Sequence, residues 1–314
     1  MTPLKIRLYF LWRRMGRAMR PPIDWAVATV AVALFRLVRA LDVDRASNIG
    51  GRIARTFGPL LPVNALGLDN LRRAYPGRPD AELKAILREV WDNLGRTAAE
   101  YPHLETIWDW DDHNPGHGRV EATGLEYFRE LRDDGKPAIV FTAHLANWEL
   151  PAVCAARHGL PVTAVYRTPN NAYIAQRLLK IRRGSMGELL AAGSGQAVAF
   201  AMASVLEKGG HLGLLVDQRL TKGFKIDFFG RPASTNPILG RLARQFDCPV
   251  HGVRVVRLPA NRFRLDLTPP IDLPRDEEGL IDPEGAMRAI NAVVEGWVRE
   301  HPGQWLWLHN RWRM

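Results

Sequence analysis

The chain has 314 residues, 46% of them hydrophobic and 24% charged, enough to bury one large α/β domain or two small ones and too apolar for a disordered tail or a collagen-like fibre. Its formal net charge is +10, and only seven of the 43 basic residues are lysine; the arginine bias suits a phosphorylated ligand or an acidic partner, and a GC-rich genome produces the same bias. The two cysteines, Cys154 and Cys248, form no CxxC pair, so there is no disulfide framework and a reducing compartment is expected.

Residues 1–45 differ from the remainder. They carry Lys5, Arg7, Arg13, Arg14, Arg17, Arg20, Arg36, Arg39 and Arg45 against Asp24, Asp42 and Asp44. Within them runs the apolar stretch Trp25–Phe35, which continues past Arg36 to Leu41. The uninterrupted part is shorter than the roughly 20 residues a bilayer crossing needs. An interfacial or tilted helix held by arginines at anionic headgroups is the favoured reading. A cleaved signal peptide fits less well, because Arg36 and Arg39 occupy the place of a small-residue cleavage site. A buried core helix is the third alternative. If the segment anchors, its basic flanks place the bulk of the chain on the cytoplasmic side. The expected organisation is a membrane-associating segment, 1–45, followed by one α/β domain, 46–314.

Leu83, Ile86, Leu87, Val90, Trp91 and Leu94 recur at helical spacing, predicting a helix over 80–101 capped by Asp80. A turn-rich stretch follows from Asp109 to Gly118. From about residue 119 the pattern alternates. Apolar runs at 138–141, 162–165, 212–216 and 250–256 predict strands, separated by helices near 124–134, 147–158, 171–183, 195–208 and 235–246. That alternation implies a mostly parallel sheet flanked by helices. A peripheral strand is expected at 261–267 and a last helix at 284–300. Trp305, Trp307 and Trp312 suit either an interface belt or a closed core, and core is favoured for the first two. Ser234, Thr235 and Asn236 read mainly as a helix cap, with a phosphate at that helix N-terminus as the alternative.

The segment with chemical content is Ile139-Val-Phe-Thr-Ala-His-Leu-Ala-Asn-Trp-Glu-Leu150. A buried strand ends near Ala143, and a helix is expected to start at Asn147, a natural N-cap residue. His144 then lies at the carboxyl edge of the sheet, where open α/β sheets bind ligands. Glu149 falls in the helix's first turn, where the dipole favours an ionised carboxylate. It can hold one imidazole nitrogen and leave the other to take a proton from a hydroxyl. On spacing alone, a helix-favouring Glu149 and an unrelated His144 remain the alternative. There is no G-x-S-x-G nucleophile elbow, and Cys154 reads as packed. Arg167 and the pair Asp217-Gln218 end other strands on the same edge. Arg167 is a candidate phosphate or oxyanion contact. Asp217 is a candidate for positioning the acceptor or tying down Arg167, with an Asx-type turn as the alternative. Asn147, Gln218 and Arg219 complete the candidate substrate-binding set. Gly193-Ser-Gly195 lacks the third glycine of a dinucleotide fingerprint. His113 and His117 enclose Asn-Pro-Gly, so no zinc helix presents them.

The His144-to-Glu149 segment resembles the H-x4-D/E motif of the glycerolipid and lipid A acyltransferase superfamily. Val165-Tyr-Arg-Thr-Pro-Asn-Asn171, Arg182-Arg-Gly184, Leu215-Val-Asp-Gln-Arg219 with Phe228-Phe-Gly-Arg-Pro232, and His301-Pro-Gly-Gln-Trp-Leu-Trp-Leu-His-Asn-Arg-Trp312 resemble its late (lauroyl/myristoyl-type) lipid A branch, in order along nearly the whole chain. The F-P-E-G-type motif of the glycerolipid branch is absent. The resemblance implies a glycerolipid acyltransferase-like fold and His144 as general base with Glu149 as its orienting partner. It implies an acyl donor on the phosphopantetheine of an acyl carrier protein. It further implies a phosphorylated lipid A precursor as acceptor and a site at the cytoplasmic face of the inner membrane. A basic face suits an acidic carrier protein. Neither a metal nor a cofactor is expected, and no nucleic acid, because the arginines are dispersed without a reader motif. The alternatives are the same fold acylating another membrane glycolipid or aminolipid, and a non-catalytic basic membrane-binding protein.

Overall fold

The computed structural model describes residues 3–111, 113–114, 116–169, 171–192 and 196–312, with side chains from residue 21 onward. The discounted Gly193–Gly195 segment lies outside the described residues. The helices are α1 (Pro3–Arg39), α2 (Val43–Phe57), α3 (Val63–Ala74), α4 (Asp80–Glu100), α5 (Leu104–Ile107), α6 (Leu125–Asp133), α7 (Leu150–Arg157), α8 (Ala172–Ser185), α9 (Gln196–Glu207), α10 (Ile238–Phe246) and α11 (Pro283–Glu300). The strands are β1 (Val120–Thr123), β2 (Ala138–Thr142), β3 (Val162–Arg167), β4 (Glu188–Ala192), β5 (His211–Leu215), β6 (Arg219–Phe228), β7 (Arg231–Thr235), β8 (Val250–Leu258) and β9 (Arg262–Pro270).

Seven strands form one sheet in the order β1-β9-β8-β2-β5-β3-β4. Every neighbouring pair is parallel except β8 and β9. The β2–β5 and β3–β5 registers bring the carboxyl ends of the central strands to one edge. The apolar runs of β2, β5 and β8 have no polar alternation because both faces are covered. Ile139, Phe141, Leu212 and Leu214 pack into one core with α10, α11 and the tryptophan-rich tail. On the other side, Leu150, Val153 and Leu265 join α5 and α7. The mostly parallel sheet flanked by helices is the architecture the alternation predicts.

Four expectations need correction. Asp80 does not cap α4; the cap position is Pro79, and Asp80 sits inside the first turn paired with Arg72 at 2.5 Å. The helix expected from Asn147 starts only at Leu150, because residues 143–149 form a tight turn with Ala146 at φ 47°. Ser234 and Thr235 belong to β7, which pairs with β6 in a separate two-stranded hairpin, and only Asn236 bonds a backbone N–H of α10, that of Ile238. The strand expected to be peripheral, β9, has β1 along one side and β8 along the other, because the short β1, like β4, carries too little apolar length to signal a strand.

The helix α1 continues through Pro21 and Pro22, which its pattern of apolar residues did not suggest. Pro21–Arg39 is long and apolar enough to cross a membrane by length and composition, and only 6% of it is buried. The buried core-helix alternative therefore fails for this segment. Beyond it, α2 docks on α4 through a backbone-to-backbone approach at Gly50 and Gly95. A Cβ on Gly95 would lie 2.2 Å from the Gly50 carbonyl oxygen, and one on Gly50 would lie 2.4 Å from that of Gly95. Gly95→Ala is therefore expected to push α2 off α4 and to cost about 1–3 kcal/mol, read as a lowered urea midpoint at unchanged slope. An unchanged midpoint would refute the close-approach account.

Candidate active site

The turn after β2 is held from two sides. Asn93 and Thr97 of α4 donate to the Ala146 carbonyl at 3.3 and 3.0 Å. From the carboxyl-terminal tail, the Gln304 carbonyl accepts the Ala146 N–H at 3.0 Å, and the Leu306 N–H donates to the His144 carbonyl at 3.0 Å. A positive φ at a non-glycine residue persists only where its surroundings over-determine it. Beneath the turn lies a buried ionic cluster. Glu100, fully buried, takes Arg257 Nη2 at 2.9 Å, Asn147 Nδ2 at 2.9 Å and Ser47 Oγ at 2.6 Å.

His144 emerges from this turn with Nδ1 2.7 Å from Asp217 Oδ1. Its backbone N–H donates to Asp217 Oδ2 at 2.8 Å, and Trp305 Nε1 donates to the same oxygen at 2.7 Å. Asp217 follows β5, the strand beside β2, and is fully enclosed. Burial by itself raises the Asp217 carboxyl, but the charge and hydrogen bonds of His144 outweigh it and hold the group well below the ordinary carboxylate range. Nδ1–H facing the carboxylate leaves Nε2 as the basic nitrogen, and Gln218 Nε2 approaches it at 3.2 Å. This is the geometry of a general base with an orienting acid.

Glu149, expected to orient His144, does something else. Its carboxylate meets Arg182 Nη2 of α8 at 2.5 Å. Arg182 in turn lies over the rings of Tyr166 and Tyr101, 5.4 and 5.9 Å from their centroids. The turn carries the Glu149 side chain away from the imidazole, and the adjacent strand supplies the carboxylate instead. Asp217 accordingly does not tie down Arg167, which is exposed at the end of β3. Asn147 neither caps α7 nor lines the slot described below; it is fully buried on Glu100. Gln218 is at the imidazole as its place on the edge suggested. Arg219 opens β6, opposite Thr235. Sequence reasoning missed the supporting roles of Arg182, Trp305 and Glu100, since no spacing rule links partners 33, 88 or 47 positions away.

Beside the imidazole an apolar slot enters the domain. Trp148 lines it and stands 5.1 Å, centroid to centroid, from His144. Glu149, Tyr166 and Arg182 also line it at that end. The slot follows α7 past Pro151, Ala152, Cys154 and Ala155 to His158, just beyond the helix. The eight residues of α7 span about 12 Å. Near the far end, His158 Nε2 accepts from Trp108 Nε1 at 2.9 Å, and Trp108, Trp110 and Phe128 meet its ring edge-on. Gly213 of β5 leaves the slot open; a Cβ there would lie 3.1 Å from Val162 Cγ1. Burial pushes the Cys154 thiol up to about 12, so it is not a thiolate nucleophile at neutral pH.

The profile of the bacterial lipid A biosynthesis acyltransferase family matches residues 14–314. The chain belongs to that family. This acyltransferase is 27% identical over 269 residues to the lipid A biosynthesis myristoyltransferase of Escherichia coli (strain K12), covering 82% of this chain and 77% of that one. It is 26% identical over 199 residues to the lipid A biosynthesis acyltransferase of Haemophilus influenzae, covering 60% and 58%. It is also 24% identical over 222 residues to the phosphatidylinositol mannoside acyltransferase of Mycolicibacterium smegmatis, covering 67% and 69%.

In the acyltransferase, a depressed Asp217 contributes stability that is present above the ordinary carboxyl range and is lost as pH falls through it. Wild-type stability is expected to fall more steeply than that of Asp217→Asn between about pH 5 and pH 3. Chemical denaturation at a series of pH values measures this, and parallel curves would contradict it.

Proposed function

We propose that the enzyme transfers a fatty acyl chain from an acyl carrier protein thioester directly to a hydroxyl of a phosphorylated lipid A precursor. The observation that carries the reading is the His144–Asp217 pair beside a narrow apolar slot. His144 Nε2 takes the proton as the acceptor oxygen attacks the thioester carbon. The resulting tetrahedral intermediate collapses with cleavage of the carbon–sulfur bond. The imidazolium then returns its proton to the departing thiolate, so the products are an ester and the free carrier thiol. The Gln218 amide, 3.2 Å from His144 Nε2, is the proposed donor to the developing oxyanion. No acyl-enzyme is needed, and the buried Cys154 thiol fits that route. Arg167 and Arg219 are the proposed phosphate contacts. The Glu149–Arg182 pair shapes the mouth of the slot, where Arg182 is one wall.

The apolar Pro21–Arg39 helix and the basic flanks of residues 1–45 support attachment to the inner membrane, with residues 46–314 as the catalytic domain on the cytoplasmic face. A second acceptor class, a membrane glycolipid other than lipid A, is favoured by the similarity to the phosphatidylinositol mannoside acyltransferase.

The test supplies purified enzyme with labelled acyl carrier thioester and lipid A precursor. One added chain is expected. His144→Ala and Asp217→Asn should each lower turnover by about 10²–10⁴, while Cys154→Ala stays near wild type. Near-normal turnover in His144→Ala would overturn the mechanism, and transfer only to another glycolipid would select the second acceptor. Chain length offers a separate check. Gly213→Val should shift donor preference to shorter chains, and His158→Ala, which opens the far end, to longer ones. Unaltered preference in both would disconnect the slot from the acyl chain.

A further inference from the structure

Among the described residues, the helix α1 is hydrogen-bonded to the α/β domain at two points. Asn171, the N-cap of α8, donates through Nδ2 to the Asp24 carbonyl at 2.8 Å. The His103 Nε2–H donates to the Val38 carbonyl at 3.1 Å. The 14 residues between these points correspond to about 21 Å of helix. Along that length α1 and α8 touch without filling the space between them. They leave an open cleft of about 480 Å³. One wall is apolar through Ala31, Val32 and Phe35 of α1, the other through Ile174, Leu178 and Ile181 of α8.

The cations along this cleft are Arg36 and Arg39 from α1 and Arg177 and Lys180 from α8. All four are exposed. Among the described residues none of them has an ion-pair partner, whereas Arg119, Arg182, Arg254 and Arg257 are each matched to a carboxylate. The one carboxylate in the lining is Glu105, whose Oε1 lies toward Gly184. Four cations beside an apolar trough match an amphiphile with a negative head and a hydrocarbon tail. An acidic protein would satisfy the cations and leave the trough bare. His144, Asp217 and Gln218 do not line the cleft, and competition with the lipid A precursor separates a membrane phospholipid from the lipid being acylated.

We propose that the cleft between α1 and α8 binds one anionic phospholipid of the surrounding membrane, its phosphate among Arg36, Arg39, Arg177 and Lys180 and a tail along the apolar walls. The proposal rests on the reading that α1 associates with the membrane, and it adds a specific lipid site to that reading. The site joins the anchor to α8, the helix that carries Arg182 to the mouth of the slot.

Native mass spectrometry of the full chain, released from neutral detergent and titrated with phosphatidylglycerol or phosphatidylcholine, tests it. One phosphatidylglycerol should be retained at least about tenfold more tightly than phosphatidylcholine. Arg177→Glu with Lys180→Glu should abolish that preference. Ala31→Trp, which fills the trough and leaves the charge intact, should weaken retention by a similar factor. Lys136→Glu with Lys208→Glu, an equal charge change at the amino-terminal edge of the sheet, should leave it unaltered. Equal retention of the two lipids would overturn the proposal. So would wild-type retention in Ala31→Trp, an equal loss in the charge control, or displacement of phosphatidylglycerol by inorganic phosphate or by the lipid A precursor. Acyl transfer measured on the same preparations keeps the outcomes apart: loss of selective lipid retention sinks the cleft alone, and absence of any transfer sinks the catalytic reading alone.

Discussion

The Asp217 carboxylate is the hub on which the site depends. It is fully enclosed and receives three N–H groups: the His144 backbone, the His144 ring and the Trp305 indole. An ionised group out of water is tolerated only when its lone pairs are met in this way. Two of the donors come from His144 after β2 and the third from the tail, so one small anion at the end of β5 ties these three parts of the chain together. The same bonds fix which imidazole nitrogen is left basic. Orientation and protonation state thus follow from one packing arrangement rather than two separate devices.

Beneath that hub, a second buried charge, Glu100, performs a mechanical task. Arg257, Asn147 and Ser47 converge on it, and its helix α4 supplies the two side chains that grip Ala146. A left-handed alanine is an uphill conformation. The turn keeps it because the backbone carbonyl there has two donors from α4 while the neighbouring N–H has an acceptor in the tail. Rigidity under the imidazole therefore originates well outside the H-x4-E segment that marks the site in the sequence.

Periodicity located the central strands, the long helix α4 and the edge on which His144 and Asp217 sit, because those signals are local: uninterrupted apolar runs for buried strands and a helical stripe for α4. The motif set identified the family for the same reason. The identity of the carboxylate on His144 was not legible. Two acids, Glu149 and Asp217, both lie close to the right edge, and sequence proximity points to the wrong one. The left-handed turn at Ala146 decides between them by rotating the start of α7, and nothing in a composition of Leu-Ala-Asn-Trp announces that rotation. The hairpin of β6 and β7 escaped for a related reason. Phe224, Ile226 and Phe228 alternate with polar residues, but the partner strand β7 is short and carries no such alternation, and it is held by a distant residue, the buried Arg311 that donates to Ser234 and Thr235.

The tail that carries Trp305 and Trp312 leaves the ribosome after every other element it supports. Trp305 completes the Asp217 shell, Gln304 and Leu306 clasp the turn, and Trp312 donates to Phe228 of the hairpin. Elements made earlier can condense as they emerge, but the imidazole turn stays half-clasped until residues 304–306 have emerged. By then α1 has long been outside the ribosome. Birth order thus imposes a sequence of events in which α1 is exposed long before the turn that carries the imidazole is fully clasped.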